Sequence, residues 1–253
     1  MNPLIAKWMR VYLKCYLNLV LCHRNVYPRS SFTFTTYHGF NLPQYMPITR
    51  HSGLNDYIEE FIMDIMGKLE HVYRLNICVV AKETGWCVER YVLDFGEFQH
   101  GEEPAGISAA DEVDVYNEFR SSLNSLIIYM EKLVKIRDDT VIFDLIIDTV
   151  EMNLGTKMVT DPNRTFSPEE VTEFERDNSW VKYYQDQNLP DPVETSGFYK
   201  PKLKLTSLVG CEWGSIRIQQ FNERLLMPNK GLSQVYHDEG IAENSELTLG
   251  SLT

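Results

Sequence analysis

The chain has 253 residues, 43% of them hydrophobic, enough to bury a core in one large domain or two small ones. Its net charge is −12, and the bulk acidity argues against the chain gripping a nucleic-acid backbone by itself, because phosphates are repelled. Charge is unevenly spread: Lys7, Arg10, Lys14, Arg24, Arg29 and Arg50 precede the first acid, Asp56, and leave a net −18 for the rest. The cysteines (Cys15, Cys22, Cys78, Cys87 and Cys211) are odd in number and lack C-x-x-C spacing. That pattern disfavours a structural zinc site or a secreted disulfide framework and fits a reducing compartment.

The first predicted element is a helix from Leu4 to about Arg24. Trp8, Val11, Tyr12, Cys15, Leu19 and Cys22 form one apolar stripe, with Lys7, Arg10 and Lys14 on another face. Those bases break the apolar run, so a membrane span and a signal peptide are poorly supported. A mitochondrial presequence shares the basic, acid-poor character, but the segment reads better as a packed helix. The basic face is either simply solvated or binds a partner. Pro28 ends the element, and residues 29–52, with Pro43 and Pro47, read as loop or short extended segments.

A second helix runs from Asn55 to about Glu70 on a core face of Leu54, Ile58, Phe61, Ile65 and Leu69. Tyr57 sits at the margin of that stripe, where a ring is half buried and still offers its hydroxyl. A hairpin follows: Leu75, Ile77 and Val79 alternate, Glu83-Thr84-Gly85 turns, and Trp86–Phe95 returns. After an acidic loop, a third helix spans about Val113–Lys135, with Val115, Phe119, Leu123, Leu126, Met130 and Leu133 inward. Thr140–Ile147 reads as a strand whose apolar density places it centrally in a sheet.

From residue 150 the pattern changes. A long polar stretch contains a helix start at Ser167-Pro168-Glu169-Glu170 and one isolated indole, Trp180. Only then come two strand-like runs, Lys202–Val209 and Ser215–Phe221. A late strand on a long tether can close across something else, which suggests a clamp. The order predicts an α+β fold: three long helices on a mostly antiparallel sheet. The domain is expected over residues 1–227, with the arm at 150–227 and a disordered tail at 228–253.

No phosphate loop, dinucleotide glycine fingerprint, zinc-protease helix or nucleophile elbow occurs. The strongest enzymatic set is Asp144 and Asp148 with Asp94, but along one strand the first two stand roughly 13 Å apart. The six histidines show no ligand spacing. The reading is therefore no catalytic residue, no metal and no cofactor. What remains is recognition: Trp180, amid Asp177, Asn178, Ser179 and Lys182, is either a loop anchor or a contact for a bound peptide.

The blocks Arg24-Asn25-Val26-Tyr27-Pro28, Phe40-Asn41-Leu42-Pro43 and Leu54-Asn55-Asp56-Tyr57-Ile58 resemble the HORMA-domain accessory subunits of translesion DNA polymerase zeta, the fungal form most. Phe119-Arg120-Ser121-Ser122-Leu123, Ser179-Trp180-Val181 and Ile216-Arg217-Ile218-Gln219-Gln220-Phe221 extend the resemblance over roughly residues 4–224. It implies a non-catalytic adaptor whose C-terminal arm, the safety belt, wraps a proline-containing peptide of the polymerase's catalytic subunit. Tyr57 and Trp180 match positions that touch this peptide. Gln219 and Phe221 match positions that contact the scaffold translesion polymerase, a deoxycytidyl transferase. Period-two alternation independently puts Gln219 and Phe221 on one strand face with Arg217.

The resemblance also implies a nuclear location and contact with DNA only through the complex. It leaves a spindle-checkpoint or meiotic HORMA protein as the alternative. One position departs from the pattern: where some relatives carry a dimerising arginine in the third helix, this chain has Asn124, which puts that self-association in doubt.

Overall fold

The computed structural model describes residues 3–35, 45–69, 71–96, 109–149, 167, 202–213, 216–226, 232 and 234–237. Helix α1 (Pro3–His23) is followed by a short 3-10 turn (Arg29–Ser31) and a hairpin of β1 (Phe32–Thr35) and β2 (Met46–Thr49). Next come α2 (Ser52–Lys68), β3 (Val72–Ala81), β4 (Cys87–Asp94), α3 (Ala109–Lys132) and β5 (Val141–Thr149). Strands β6 (Lys202–Trp213) and β7 (Ile216–Leu226) close the order. Among the described residues, five strands form one antiparallel sheet in the order β5-β3-β4-β7-β6.

Helix α1 is more central than one stripe implies. From Tyr12 to Cys22 every residue but Lys14 is buried, so this stretch is apolar nearly all round, as an interior helix must be. It packs against α2, α3 and β2. Asn18 is tolerated inside because its amide is satisfied: Nδ2 donates to Lys14 O at 2.8 Å, and Oδ1 accepts from Thr49 N at 3.0 Å. The basic face survives only in part. Lys7 lies 3.9 Å from Glu112, and Lys14 pairs with Glu59.

Helix α2 is capped by His51, whose Nδ1 accepts from Leu54 N at 3.2 Å, and it buries Leu54, Ile58, Phe61, Ile62 and Ile65. Helix α3 buries Val115, Phe119, Leu123, Leu126 and Met130 and stops before Leu133. The β3–β4 turn uses Gly85 at φ 70°. Gly210 sits at the β6 irregularity between Leu208 and Cys211, where a Cβ would stand 2.1 Å from Ile218 O.

Two sequence expectations are corrected. The strand 141–149 is not central: it is an edge of the sheet, paired with β3 alone among the described residues. Its apolar density reflects side chains that are half covered on the faces, with Ile142 and Asp144 exposed, and density of that kind does not report how many strands lie alongside. The second concerns the tail expected from residue 228. Within it, Val235 and Tyr236 are buried in the core, and Tyr236 bridges to Ile136. The helix expected from Ser167 lies outside the described residues apart from Ser167 itself.

One buried ion pair anchors the centre. Arg24, at the end of α1, donates Nε to Glu89 Oε2 at 2.7 Å and Nη2 to Oε1 at 2.6 Å. Tyr91 and Tyr236 hydroxyls donate to the same carboxylate at 2.8 and 2.9 Å. Burial alone would raise the Glu89 pKa. The charge of Arg24 and the donated hydrogen bonds outweigh it and hold the group below its ordinary value.

Candidate functional site: two surfaces on opposite parts of the sheet

The first surface lies beside β5. Tyr27, Ser31, Thr49, His51, Gly53, Leu54, Tyr57 and Phe143 line a cavity of about 410 Å³. Its aromatic wall is built from three separate elements. The Phe143 ring stands 6.1 Å from Tyr27 and 6.2 Å from Tyr57, both edge-on, an arrangement that leaves ring faces for an apolar guest. Tyr57 is 45% exposed, as its place at the margin of the α2 stripe implies. Burial first, then the charge of Asp144, pushes its hydroxyl pKa up, so the phenol stays protonated and able to donate. Beside this cavity runs β5, whose outer backbone edge is unpaired among the described residues. An unpaired edge next to an aromatic cavity can take an extended segment as an added strand and hold one of its apolar side chains.

The second surface is on β7 and β6. Ile218, Gln220 and Asn222 point inward and are buried. Gln220 Oε1 accepts from Ser122 Oγ at 2.7 Å, and Asn222 Oδ1 accepts from Tyr129 OH at 2.7 Å. Arg217, Gln219 and Phe221 therefore face the other way, as the alternation predicts, with Gln219 exposed and Phe221 half-buried. Phe221 is registered with Val92 on β4 and with Ser207 on β6. The same face carries Leu203 and Leu205, 64% and 62% exposed. Sequence reasoning missed these two leucines, although Lys202-Leu203-Lys204-Leu205 alternates visibly. It also missed Phe143, whose relation to Tyr57 spans more than 80 residues and leaves no local signal.

Thus Tyr57 belongs to one surface, and Gln219 with Phe221 to the other. From β5 to β7 is three strand spacings, about 14 Å, so the two can be occupied together. Trp180 lies outside the described residues. The acidic set considered as an enzyme site divides: Asp94 and Asp148 are both registered with Arg74, from the strands on its two sides, and Asp144 stands apart. Asp94 accepts from Arg74 at 2.7 Å, Asp148 accepts from Asn76 at 3.1 Å, and Asp144 lies opposite Cys78. Among the described residues no group of three or more His, Cys, Asp or Glu could hold a metal ion, and no helix is long and apolar enough to cross a membrane. The five cysteines are free thiols. Burial pushes Cys15 and Cys211 up to about 12 and Cys22 to about 11, which leaves those three unreactive.

No protein-family model matches the chain. In sequence it is 51% identical over 254 residues to the DNA polymerase zeta processivity subunit of Saccharomyces cerevisiae, with all of both chains covered. In structure it is similar to a chain of the mitotic checkpoint complex, with TM-score 0.59, 13% identity and 87% and 98% of the two chains covered. It is also similar to Caenorhabditis elegans HTP-1 bound to a HIM-3 closure motif, with TM-score 0.54, 8% identity and 88% and 90% covered. At such identities the structural likeness speaks for the HORMA fold alone. The checkpoint or meiotic alternative is not favoured, because the full-length sequence relationship is to the polymerase subunit. The chain belongs to the family of the DNA polymerase zeta processivity subunit and carries the HORMA fold.

Proposed function

We propose that the protein is a non-catalytic adaptor of DNA polymerase zeta in translesion synthesis, acting in the nucleus. It clamps a peptide segment of the catalytic subunit and bridges to the scaffold translesion polymerase. One observation carries this reading. Residue 149 ends β5 at one edge of the sheet, and residue 202 begins β6 at the opposite edge, four strand spacings or about 19 Å away. Residues 150–201 join these edges, and β7 pairs with β4 rather than with β5. Among the described residues the outer β5 edge is unpaired, beside the cavity of Tyr27, Tyr57 and Phe143.

In this reading the peptide adds to β5 as a strand. Its apolar side chain enters the aromatic cavity, Tyr57 donates a hydrogen bond, and Trp180, in the belt, covers the peptide. A belt that joins both edges must detach at one end to free its guest, so dissociation is slow for the affinity. Gln219 and Phe221, flanked by Leu203 and Leu205, form the scaffold-partner face. An apolar centre with an adjacent amide suits a protein partner better than a phosphate backbone.

The test is titration of a labelled catalytic-subunit fragment into wild-type protein and Trp180→Ala. Loss of ~1–3 kcal/mol is expected, with an unchanged circular dichroism spectrum. Equal affinity would remove Trp180 from the site, and no binding to wild type would defeat the adaptor reading.

A further inference from the structure

The segment that follows β7 is fastened at an unexpected place. Arg137 N donates to Val235 O at 2.8 Å, and His237 N donates to Lys135 O at 3.1 Å. Arg137 Nε donates to Tyr236 O at 2.9 Å. These bonds sit on the linker between α3 and β5, four to six residues before β5 begins. The Tyr236 side chain runs inward, 8% exposed for the whole residue, and its hydroxyl reaches Glu89 at 2.9 Å. Glu89 is on β4, the strand that carries β7, and is registered with Arg224. The linker is tied to the same centre, since Arg24 Nη2 donates to Val134 O at 2.8 Å and Asn25 Nδ2 donates to Ile136 O at 3.1 Å.

We propose that Leu232 and residues 234–237 form a buckle and that Tyr236 is a positioning residue: through Glu89 it holds the β6–β7 hairpin docked on β4 and so sets how often that hairpin lets go. Six residues from Leu226 to Leu232 reach at most ~20 Å, so β7 cannot travel far while the buckle is closed. The bond from Tyr236 to Glu89 is buried and charge-assisted, and bonds to charged groups are about twice as strong as neutral ones. Opening it leaves the Arg24–Glu89 pair intact, because Arg24 and Tyr91 still supply three donors. Release is thus separable from unfolding. Its consequence for partner release rests on the proposed clamp, whose belt is continuous with β6.

The experiment is native-state hydrogen exchange on the full chain, wild type against Tyr236→Phe, which removes one hydroxyl and keeps the ring. The β7 amides from Gln219 to Arg224 are expected to exchange about tenfold faster, with the α1 and α3 amides unchanged. No change in β7, or an equal rise in the helices, overturns the buckle. In parallel, a preformed complex with a labelled catalytic-subunit fragment is chased with unlabelled fragment. Release about tenfold faster in Tyr236→Phe is expected. Faster β7 exchange with unchanged release overturns the link to the clamp. If wild type never binds the fragment, the adaptor reading fails while the exchange result still decides the buckle.

Discussion

Glu89→Gln is the substitution with the largest consequence that the structure allows to be worked out. Glu89 is 1% exposed and accepts two bonds from Arg24, one from Tyr91 and one from Tyr236. Glutamine keeps the shape and removes the charge. It also places an amide N–H2 where a carboxylate oxygen received donors, so at least one donor faces another donor. Arg24, equally buried, keeps its guanidinium charge without a counter-ion. Breaking a buried pair from one side costs ~3–5 kcal/mol, a large part of the ~5–15 kcal/mol that keeps a domain folded. Urea unfolding followed by circular dichroism measures it, with the slope confirming that the unfolded states are comparable. Adding Arg24→Met to Glu89→Gln is expected to recover part of the loss, because the stranded charge is gone. A loss below ~1 kcal/mol for Glu89→Gln alone would refute the view that this pair is the fold's electrostatic centre.

Further outcomes follow from the same geometry. The Glu89 pKa is depressed in the folded state, so its contribution is present above the ordinary carboxylate range and is lost as pH falls through the folded value. Acid unfolding of Glu89→Gln should therefore show a shallower pH dependence than wild type below about pH 4.5. Tyr57→Ala removes a ring 45% exposed. About 90 Å² of a ~200 Å² side chain, at ~25 cal/mol per Å², gives ~2 kcal/mol, or about 30-fold in fragment affinity by fluorescence anisotropy. Gln219→Ala with Phe221→Ala should spare that fragment and weaken the scaffold polymerase in pull-downs, whereas loss of both would indicate misfolding. Gly210→Ala must move Ile218 O away from a 2.1 Å approach, and a loss of ~1–3 kcal/mol in thermal unfolding is expected.

Much of this was legible in the chain. The three- and four-residue spacing of Leu54, Ile58, Phe61 and Ile65, and of Phe119, Leu123, Leu126 and Met130, reports burial directly, and all eight are buried. Alternation at Arg217, Gln219 and Phe221 fixed their common face. The edge status of β5 was not legible, because Val141–Ile147 shows how greasy its faces are and is silent about backbone partners. Val235 and Tyr236 were hidden for another reason. A short buckle held by backbone bonds, the Arg137 side chain and one hydroxyl has no period, and Glu89 lies 147 positions from Tyr236. Arg24 and Glu89 look like ordinary surface charges until the fold brings them together. The stretch 29–52, read as loop or short extended segments, holds the β1–β2 hairpin, and Pro47 sits in β2 opposite Phe34, where one missing donor is tolerated.

In the proposed complex a partner segment lies along the outer edge of β5. Residue-resolved hydrogen exchange of the protein with and without the catalytic-subunit fragment tests it most directly. Strong new protection is expected at β5 amides between Val141 and Thr149, with altered signals at Tyr57 and Phe143. New protection confined to β6 and β7, with β5 unchanged, would contradict it.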